Sequence, residues 1–252
     1  MMKISIIGAG NVGLNMFETL RKKKDVKLVS LFNRSIEKIL SYRNKVFITN
    51  NINEIKKSDI YIISTKDDSI KKISEKLIGK DGLIVHTSGS TEMKILSIHK
   101  NFGVFYPLQT LTKEKITDFK KIPICIEANN EINFKILRKL TKISGSKCYQ
   151  VDSKQRIALH VSAVFACNFT NYLFSIAHDI CTSNKIPFDT LFPLIRETLE
   201  KIEKNKPSEI QTGPASRKDI ITIKKHLNFI NSKSSRKIYS ILTEEIIKNN
   251  EK

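Results

Sequence analysis

The feature that most constrains the fold is a glycine-rich turn between an apolar strand and a helix. The run KISII, at residues 3–7, is short and β-branched, as expected of a strand, and GAGNVG follows it directly. The segment LNMFETLRKKK after the turn has a helical pattern. The glycines therefore have the spacing GxGxxG. The first permits a tight turn, the second admits a pyrophosphate, and the third lets helix and strand pack closely.

This turn predicts a phosphate-binding site. The N-terminus of a helix presents free N–H groups and the positive end of its dipole to an anion. We expect the phosphates of a dinucleotide to lie against the turn and the first turn of the helix, at Gly8, Gly10, Asn11, Val12 and Gly13. A glycine turn without a ligand is the alternative.

The end of the second predicted strand, VKLVSLF at residues 26–32, indicates which dinucleotide is bound. An NAD site usually has Asp or Glu here to bind the ribose 2′-OH, but this sequence continues NRS. Asn33 stands where the carboxylate would be. Arg34 supplies a planar, positively charged guanidinium suited to a phosphate, and Ser35 adds a hydroxyl donor. We therefore predict NADP (NADPH) as the cofactor. A helix-capping turn without a ligand is again the alternative.

Strand and helix patterns alternate through the first half of the chain, which predicts a doubly wound, mostly parallel α/β sheet. Further strands are predicted in KVFIT (45–49), DIYIIST (59–65), GLIVHTSGS (82–90), FGVFYPLQT (102–110), IPICIEA (122–128) and KCYQV (147–151). Ligands of such sheets bind beyond the carboxyl ends of the strands. By position alone we assign the residues that follow two of these strands to the cofactor cleft, with a turn role as the alternative for each: Ser64, Thr65, Lys66, Asp67, His86, Thr87, Ser88 and Gly89.

The second half has no strand pattern and predicts an all-helical domain. Helices are expected near 153–181, 188–204, 218–231 and 234–249. The expected domains are therefore a dinucleotide-binding domain at 1–151 and a helical substrate and dimerisation domain at 152–252.

The segment at residues 157–177 has no Asp, Glu, Lys or Arg, in a chain of which 27% is charged. Its length suits a membrane span, but two Asn and a His inside lipid would be costly. On a helix with about 100° per residue, His160, Val164, Cys167 and Asn171 fall within a band about 60° wide, with Asn168 at its edge. A buried helix whose polar groups are satisfied by neighbouring helices or by a subunit partner fits this pattern, and so does a helix that faces an active site.

Composition narrows the class of protein. The net charge of +19 is compatible with an anionic partner, but no DNA- or RNA-binding module is present, so we do not expect nucleic acid to be the main partner. The four cysteines form no CxxC pair and no secretory signal is evident. The chain is therefore expected to be cytoplasmic, with reduced thiols, no metal site and no membrane span.

The segments HTSGS, YPLQT, QRIALHVSAVFACNFTNYL and QTGPASRKD carry a family resemblance that covers essentially the whole chain. The chain resembles two-domain, NADP-binding Rossmann-like oxidoreductases with a helical second half. These include ketopantoate reductase, pyrroline-5-carboxylate reductase, 3-hydroxyisobutyrate and 6-phosphogluconate dehydrogenases, and the deazaflavin-dependent NADP reductases. It is most similar to a branch that pairs this first half with a helical domain of unknown function.

The resemblance implies a hydride transfer between NADPH and a small carbonyl, imine or hydroxy-acid substrate, and pairing of two chains through the helical half. Better-known relatives use a Lys and an Asn on the first interdomain helix, but residues 157–177 contain no Lys. His160 takes a comparable place and suits proton donation near neutral pH.

The remaining candidate residues are expected to act on the substrate or the nicotinamide. Asn168 and Asn171 are expected to orient the substrate or the nicotinamide, and Gln109 and Arg217 to bind the substrate, with Asp219 bracing Arg217. The missing Lys also leaves a second function open, that of a non-catalytic NADP-binding sensor or scaffold.

Overall fold

The structure, a computed structural model, describes residues 1–250. In this range eight strands form one sheet in the order β3-β2-β1-β4-β5-β6-β7-β8. The strands are β1 (Met2–Ile7), β2 (Val26–Phe32), β3 (Ile48–Thr49), β4 (Ile60–Ile63), β5 (Leu83–His86), β6 (Phe102–Pro107), β7 (Ile124–Ala128) and β8 (Cys148–Gln150). Only β6 and β7 pair antiparallel, so the predicted mostly parallel sheet is confirmed.

The α-helices of the described residues alternate with the strands and then continue alone. They are α1 (Asn11–Leu20), α2 (Asp67–Glu75), α3 (Glu131–Ser144), α4 (Ser153–Ala163), α5 (Thr170–Ser183), α6 (Phe192–Lys204), α7 (Ile220–Phe229) and α8 (Lys233–Asn249). The predicted helical second half is therefore confirmed, with boundaries that differ by a few residues.

Strand β4 shows why the strands have continuous apolar runs. Ile60 and Ile62 belong to one buried cluster, whereas Tyr61 and Ile63 belong to another, because successive side chains point to opposite faces of a sheet. The first cluster includes residues of α1 and α3, and the second includes Ile70 of α2. Helices thus cover both faces of the sheet, and its carboxyl edge remains as the place for a ligand.

The chain divides into two compact units, Met1–Val164 and the residues from Phe165 onward. The first unit contains the whole sheet and also α4, which follows the predicted domain limit at residue 151. Arg156 of α4 is fully buried there and makes hydrogen bonds to Glu127 of β7 and to the carbonyl oxygen of Thr91. These contacts attach the first helix of the second half to the sheet.

Between α4 and α5, residues Val164–Phe169 form a π-helical segment. Hydrogen bonds from residue i to i+5 turn the chain by less than 100° per residue, so an α-helical projection does not hold across it. The predicted band that joins His160 to Cys167 and Asn171 is therefore wrong. The units also separate its members, because His160 lies in the first and Asn168 and Asn171 lie in the second.

The apolar helical stretch is not buried within the single chain, so neighbouring helices of the same chain do not cover it as one of the two alternatives required. Phe165, Phe169 and Tyr172 are 65%, 51% and 54% exposed. A helix that is apolar all round needs neighbours around its whole circumference, and one chain does not supply them. By length and composition Ser153–Ser183 would also cross a membrane, but one such helix is weak evidence for a span.

Candidate nucleotide-binding and catalytic site

Two of the three glycines in the turn after β1 are required by the packing of the protein itself. Gly8 has a φ of +111°, and a Cβ there would lie 2.5 Å from the carbonyl oxygen of Ser64. At Gly13 a Cβ would lie 2.0 Å from the carbonyl oxygen of Gly8. Helix α1 therefore sits directly on the turn, and neither position has room for a side chain.

Gly10 differs from both, because the protein gives no local reason for a glycine there. Its φ of −78° is accessible to any residue. A Cβ at this position would meet only the carbonyl oxygen of Ser64, at 3.9 Å. Open space in front of a backbone that carries no side chain fits the close approach of a pyrophosphate.

The N-terminus of α1 also lacks the usual capping groups. Gly10 is the N-cap residue and supplies no side chain, and the first turn of the helix, which starts with Asn11 and Val12, contains no acidic residue. The positive end of the helix dipole is therefore not neutralised by the helix's own side chains. This arrangement suits a bound phosphate.

The residues of the NRS segment after β2 have different roles, since Asn33 braces the segment and Arg34 is an exposed cation. Asn33 accepts a hydrogen bond from the backbone N–H of Ala9 (3.2 Å) and donates one to the carbonyl oxygen of Ser35 (2.8 Å), so its amide connects this segment to the glycine turn. Arg34 is exposed and has neither an ion pair nor a hydrogen bond within residues 1–250. Ser35 is half-buried at a helix N-cap, and its hydroxyl does not cap the helix.

The hydroxyls predicted at the ends of β4 and β5 are used mainly in hydrogen bonds within the protein. The Ser64 hydroxyl donates to the carbonyl oxygen of Gly8 (2.8 Å), and that of Ser88 accepts from the backbone N–H groups of Ser90 (3.1 Å) and Thr91 (2.9 Å). Thr65 is half-buried, with a long contact of 3.4 Å to the carbonyl oxygen of Lys66. Ser64 and Ser88 thus shape the edge of the sheet.

His160 lies beside this edge and is paired with a tyrosine. Its Nδ1 is 3.0 Å from the hydroxyl oxygen of Tyr106 on β6, and the two rings meet edge to face. Gly89, in the loop after β5, makes room for the pair. A Cβ at Gly89 would lie 2.7 Å from Nδ1 of His160 and 2.8 Å from Cζ of Tyr106. The loop after β5, the end of β6 and helix α4 therefore meet at one point.

Burial sets the protonation of two groups near this point. Burial raises the pKa of Tyr106 to about 12, with a further contribution from Cys125, so the phenol keeps its proton at neutral pH. Burial and then the Arg156 guanidinium lower the pKa of His86 to about 4. His86 is therefore neutral, and its Nδ1 accepts a hydrogen bond from the backbone N–H of Ser88 (3.2 Å).

Arg156 fixes α4, and with it His160, one helical turn further along. Besides Glu127 it contacts the carbonyl oxygen of Thr91 (2.5 Å) and the hydroxyl of Ser153 (3.2 Å). The Ser153 hydroxyl lies 2.9 Å and 3.0 Å from the two oxygens of Glu127. This buried network connects α4, β7 and the loop after β5, and so supports the position of the His160 ring.

The other predicted site residues are not brought to this point within the first unit. Gln109 is exposed, and its side chain accepts a hydrogen bond from the N–H of its neighbour Thr110 (2.8 Å). Asn168, Asn171 and Arg217 belong to the second unit and are exposed.

Asp219 has a local role in the structure. It caps α7 by accepting hydrogen bonds from the backbone N–H and the hydroxyl of Thr222, at 3.0 Å and 2.7 Å. These bonds are the main reason that its pKa is lowered, and the nearby Arg217 charge makes a smaller contribution.

Two residues of the pair and its support, Tyr106 and Arg156, escaped the sequence analysis. Tyr106 lies in the quoted segment YPLQT, but only the polar residues after it were considered as candidates. Gly89 was assigned to the cofactor cleft by position alone, without its role in making room for the two rings. Arg156 preceded the charge-free segment and had the pattern of an ordinary solvated helix end. The helical position of Arg156, one turn before His160, was the available signal.

The sheet order, the glycine turn at the β1–β4 switch point and the uncapped helix define a Rossmann-type dinucleotide-binding protein. A candidate NADP oxidoreductase from Bacteroides fragilis is 33% identical to the chain, with 98% of each chain covered and a TM-score of 0.90. The domain of unknown function DUF2520 matches residues 122–246. The chain belongs to this family of Rossmann-fold, NADP-oxidoreductase-like proteins, as the sequence resemblance predicted.

More distant solved structures share the fold alone. A reductive aminase from Aspergillus terreus, in complex with NADPH4, cyclohexanone and allyl amine, is 11% identical, with a TM-score of 0.75 over 98% of this chain and 94% of that one. An imine reductase from Myxococcus stipitatus, in complex with NADP+, is 15% identical, with a TM-score of 0.68 over 98% and 92%. Comparison with curated proteins gives no match.

Proposed function

We propose that the protein is an NADPH-dependent reductase or dehydrogenase that acts on a small carbonyl, imine or hydroxy-acid compound. The observation that carries the proposal is the pairing of His160 with Tyr106 against Gly89, at the sheet edge that also bears the glycine turn. In the order β1-β4-β5, the loop after β5 lies two strand spacings, about 10 Å, from the turn after β1. That separation suits a dinucleotide with its phosphates at one point and its reactive ring near the other.

The residues present fit NADP at the expected positions of the pyrophosphate and of the 2′-phosphate. The backbone at Gly10 and the N-terminus of α1 receive the pyrophosphate. The exposed Arg34, with the hydroxyl of Ser35, receives the 2′-phosphate, and no carboxylate at residue 33 repels it. Relatives described as NADP oxidoreductase, or solved in complex with NADP+ or NADPH4, support the same cofactor.

In this proposal His160 serves the substrate atom that gains negative charge. NADPH, when bound, provides the hydride that reduces a carbonyl or imine carbon. The substrate oxygen or nitrogen gains electrons in that step. The Nε2–H group of His160 stabilises the developing charge by donating a hydrogen bond, and the substrate atom takes up its proton from solvent. His160 is half-buried, and its Nε2 has no hydrogen-bond partner in the described part of the chain, so this atom is available to a substrate.

A second candidate is a non-catalytic NADP-binding sensor or scaffold. It is favoured by the absence of Lys from residues 157–177, where better-known relatives have one. Both candidates require the cofactor, and only the first requires turnover.

Two measurements test the proposal in order. NADPH is titrated into the protein with fluorescence detection, and binding at micromolar concentration is expected. NADPH oxidation is then followed with 2-keto acids and cyclic imines, and NADP+ reduction with 3-hydroxy acids. Failure to bind either NADPH or NADH would exclude both candidates, whereas binding without turnover across these classes would favour the sensor.

Replacement of Arg34 with Asp should weaken NADPH binding far more than NADH binding. The substitution removes the cation that faces the 2′-phosphate and introduces a repelling carboxylate, so we expect NADPH affinity to fall about 100-fold. NADH affinity should change by less than about 3-fold. The exposed Arg43, at the other end of the following 3₁₀ helix, gives a matched control, because Arg43→Asp changes the net charge equally. Equal losses of both cofactors in Arg34→Asp would assign Arg34 to the turn instead.

The exposed apolar residues of the second unit support a homodimer that forms through the helical half. Phe165 and Leu194 are both 65% exposed, which is costly for a single chain in water. Light scattering should give about twice the chain mass of 28.8 kDa. Phe165→Asp should shift the protein toward monomer. Ile78→Asp is the control, because Ile78 is equally exposed (64%) but lies in the first unit. A wild-type monomer would contradict this proposal.

A further inference from the structure

The contact between Tyr106 and His160 has a direction, and the chemistry of the two groups fixes it. The distance of 3.0 Å joins a phenolic oxygen to Nδ1, and either atom is able to donate. Tyr106 is 9% exposed, and its hydroxyl has no other hydrogen-bond partner within residues 1–250. A buried hydroxyl proton without an acceptor costs about 1–3 kcal/mol. The Tyr106 proton therefore points at Nδ1.

Because the phenol of Tyr106 stays neutral, Tyr106 remains the donor of the hydrogen bond to His160. Burial raises the pKa of Tyr106 to about 12, so the hydroxyl proton is present throughout the neutral range. The charged or titratable groups that act on it are Cys125 and Asp67, which raise its pKa, and Arg156, which lowers it. A neutral imidazole that accepts at Nδ1 must carry its proton on Nε2.

The space around the pair is also restricted. A Cβ at Gly89 would lie 2.8 Å from Cγ of His160 and 2.8 Å from Cζ of Tyr106, which is closer than real Cβ contacts. The φ of Gly89 is not positive, so the backbone conformation does not require glycine. The sequence has glycine at this position because both rings need the volume that a side chain would fill.

We propose that Tyr106 is a positioning residue that holds neutral His160 as the Nε2–H tautomer, so that His160 offers a hydrogen-bond donor to the substrate instead of a basic nitrogen. This inference rests on the proposed function. It deepens that function, because a donor at Nε2 serves a substrate atom that gains negative charge, such as the oxygen of a carbonyl compound under reduction. A carboxylate that accepts a hydrogen bond from Nδ1–H, as in the Ser-His-Asp triad, would impose the opposite tautomer and make Nε2 a base.

The tautomer is measured directly, without cofactor or substrate. The full-length protein is labelled with ¹⁵N-histidine, and the ring nitrogens are observed by NMR at a pH where imidazole is neutral. The resonances of His160 are assigned by their loss in His160→Gln. We expect an unprotonated Nδ1 and a protonated Nε2 in the wild type, and loss of this preference in Tyr106→Phe, which keeps the ring but lacks the donor.

A second pair in the chain provides the matched control. Nδ1 of His226 is 2.8 Å from the hydroxyl of Tyr239, with a similar edge-to-face arrangement of rings. Tyr239→Phe should change the ring resonances of His226 and leave those of His160 unchanged. Gly89→Ala gives an independent variant, because it crowds both rings without removing the hydroxyl, and it should disturb His160 as well.

Kinetics distinguish a positioning role from a structural one. With any substrate found by the turnover screen, Tyr106→Phe should lower kcat about 10-fold and change KM by less than about 2-fold, because it affects the donor and not substrate binding. A protonated Nδ1 in the wild type, or unchanged His160 resonances in Tyr106→Phe, would overturn the inference. If NADPH does not bind but the resonances behave as expected, the proposed function fails while the tautomer assignment stands.

Discussion

Replacement of Gly10 with alanine should strongly weaken NADPH binding and change the free energy of unfolding by less than about 1 kcal/mol. The added methyl group has room in the protein, since its nearest neighbour is the carbonyl oxygen of Ser64 at 3.9 Å, and the φ of −78° suits alanine. It would, however, occupy the space that the pyrophosphate needs. We expect NADPH affinity to fall at least about 100-fold, which corresponds to about 2.7 kcal/mol.

Gly13→Ala is the matched comparison, because the same methyl group there meets the protein itself. Its Cβ would lie 2.0 Å from the carbonyl oxygen of Gly8, so helix and turn must separate. We expect the free energy of unfolding to fall by about 2 kcal/mol or more. Urea unfolding followed by circular dichroism, together with NADPH titration, separates the two variants. Undiminished NADPH affinity in Gly10→Ala would exclude a pyrophosphate at this turn.

Replacement of Arg156 with methionine should destabilise the first unit by about 3–5 kcal/mol. The guanidinium is fully buried, and its removal would leave the Glu127 carboxylate, 15% exposed, without its cation. The carbonyl oxygen of Thr91 would also lose a donor. Arg156 is fully buried against the sheet and lies one turn before His160, so loosening it should weaken the contact between Tyr106 and His160 as well as the fold.

The double variant Arg156→Met/Glu127→Met tests the physical reason for this loss. Removing both charges leaves no unpaired carboxylate, and replacement of a whole buried pair by apolar residues is often neutral or stabilising. The double variant should therefore recover most of the free energy that Arg156→Met loses. A loss below about 1 kcal/mol in the single variant would show that water reaches Glu127 and that the pair is effectively solvated. Urea unfolding at one fixed protein concentration holds the contribution of any dimerisation constant between the variants.

The local sequence was sufficient to predict a feature wherever the backbone conformation requires one particular residue type. Gly8 and Gly13 were assigned correctly to the turn, where the packing leaves no room for a side chain. Helix and strand periods also identified every strand of the sheet. These features depend on sterics and hydrogen bonds over a few residues, which the local sequence contains.

The candidate site was predicted only in part, because its chemistry depends on contacts between distant segments. His160 was found from its place on an uncharged helix, but its partner Tyr106 is 54 residues away in the chain. The shared polar face was wrong because no local signal revealed the π-helical segment. The buried Arg156 was missed because a terminal arginine has the same pattern whether it meets water or a carboxylate.

Short-range patterns in the sequence were enough to predict the dinucleotide-binding sheet and the helical second half, and to single out Arg34 as the candidate for the 2′-phosphate. These predictions rest on periodicity, glycine sterics and the identity of single side chains. Which groups meet depended on the folded chain, where β6, the loop after β5 and α4 bring Tyr106, Gly89 and His160 together. The reason is that hydrogen-bond direction and available volume are properties of groups in contact, and the packing of the sheet creates those contacts.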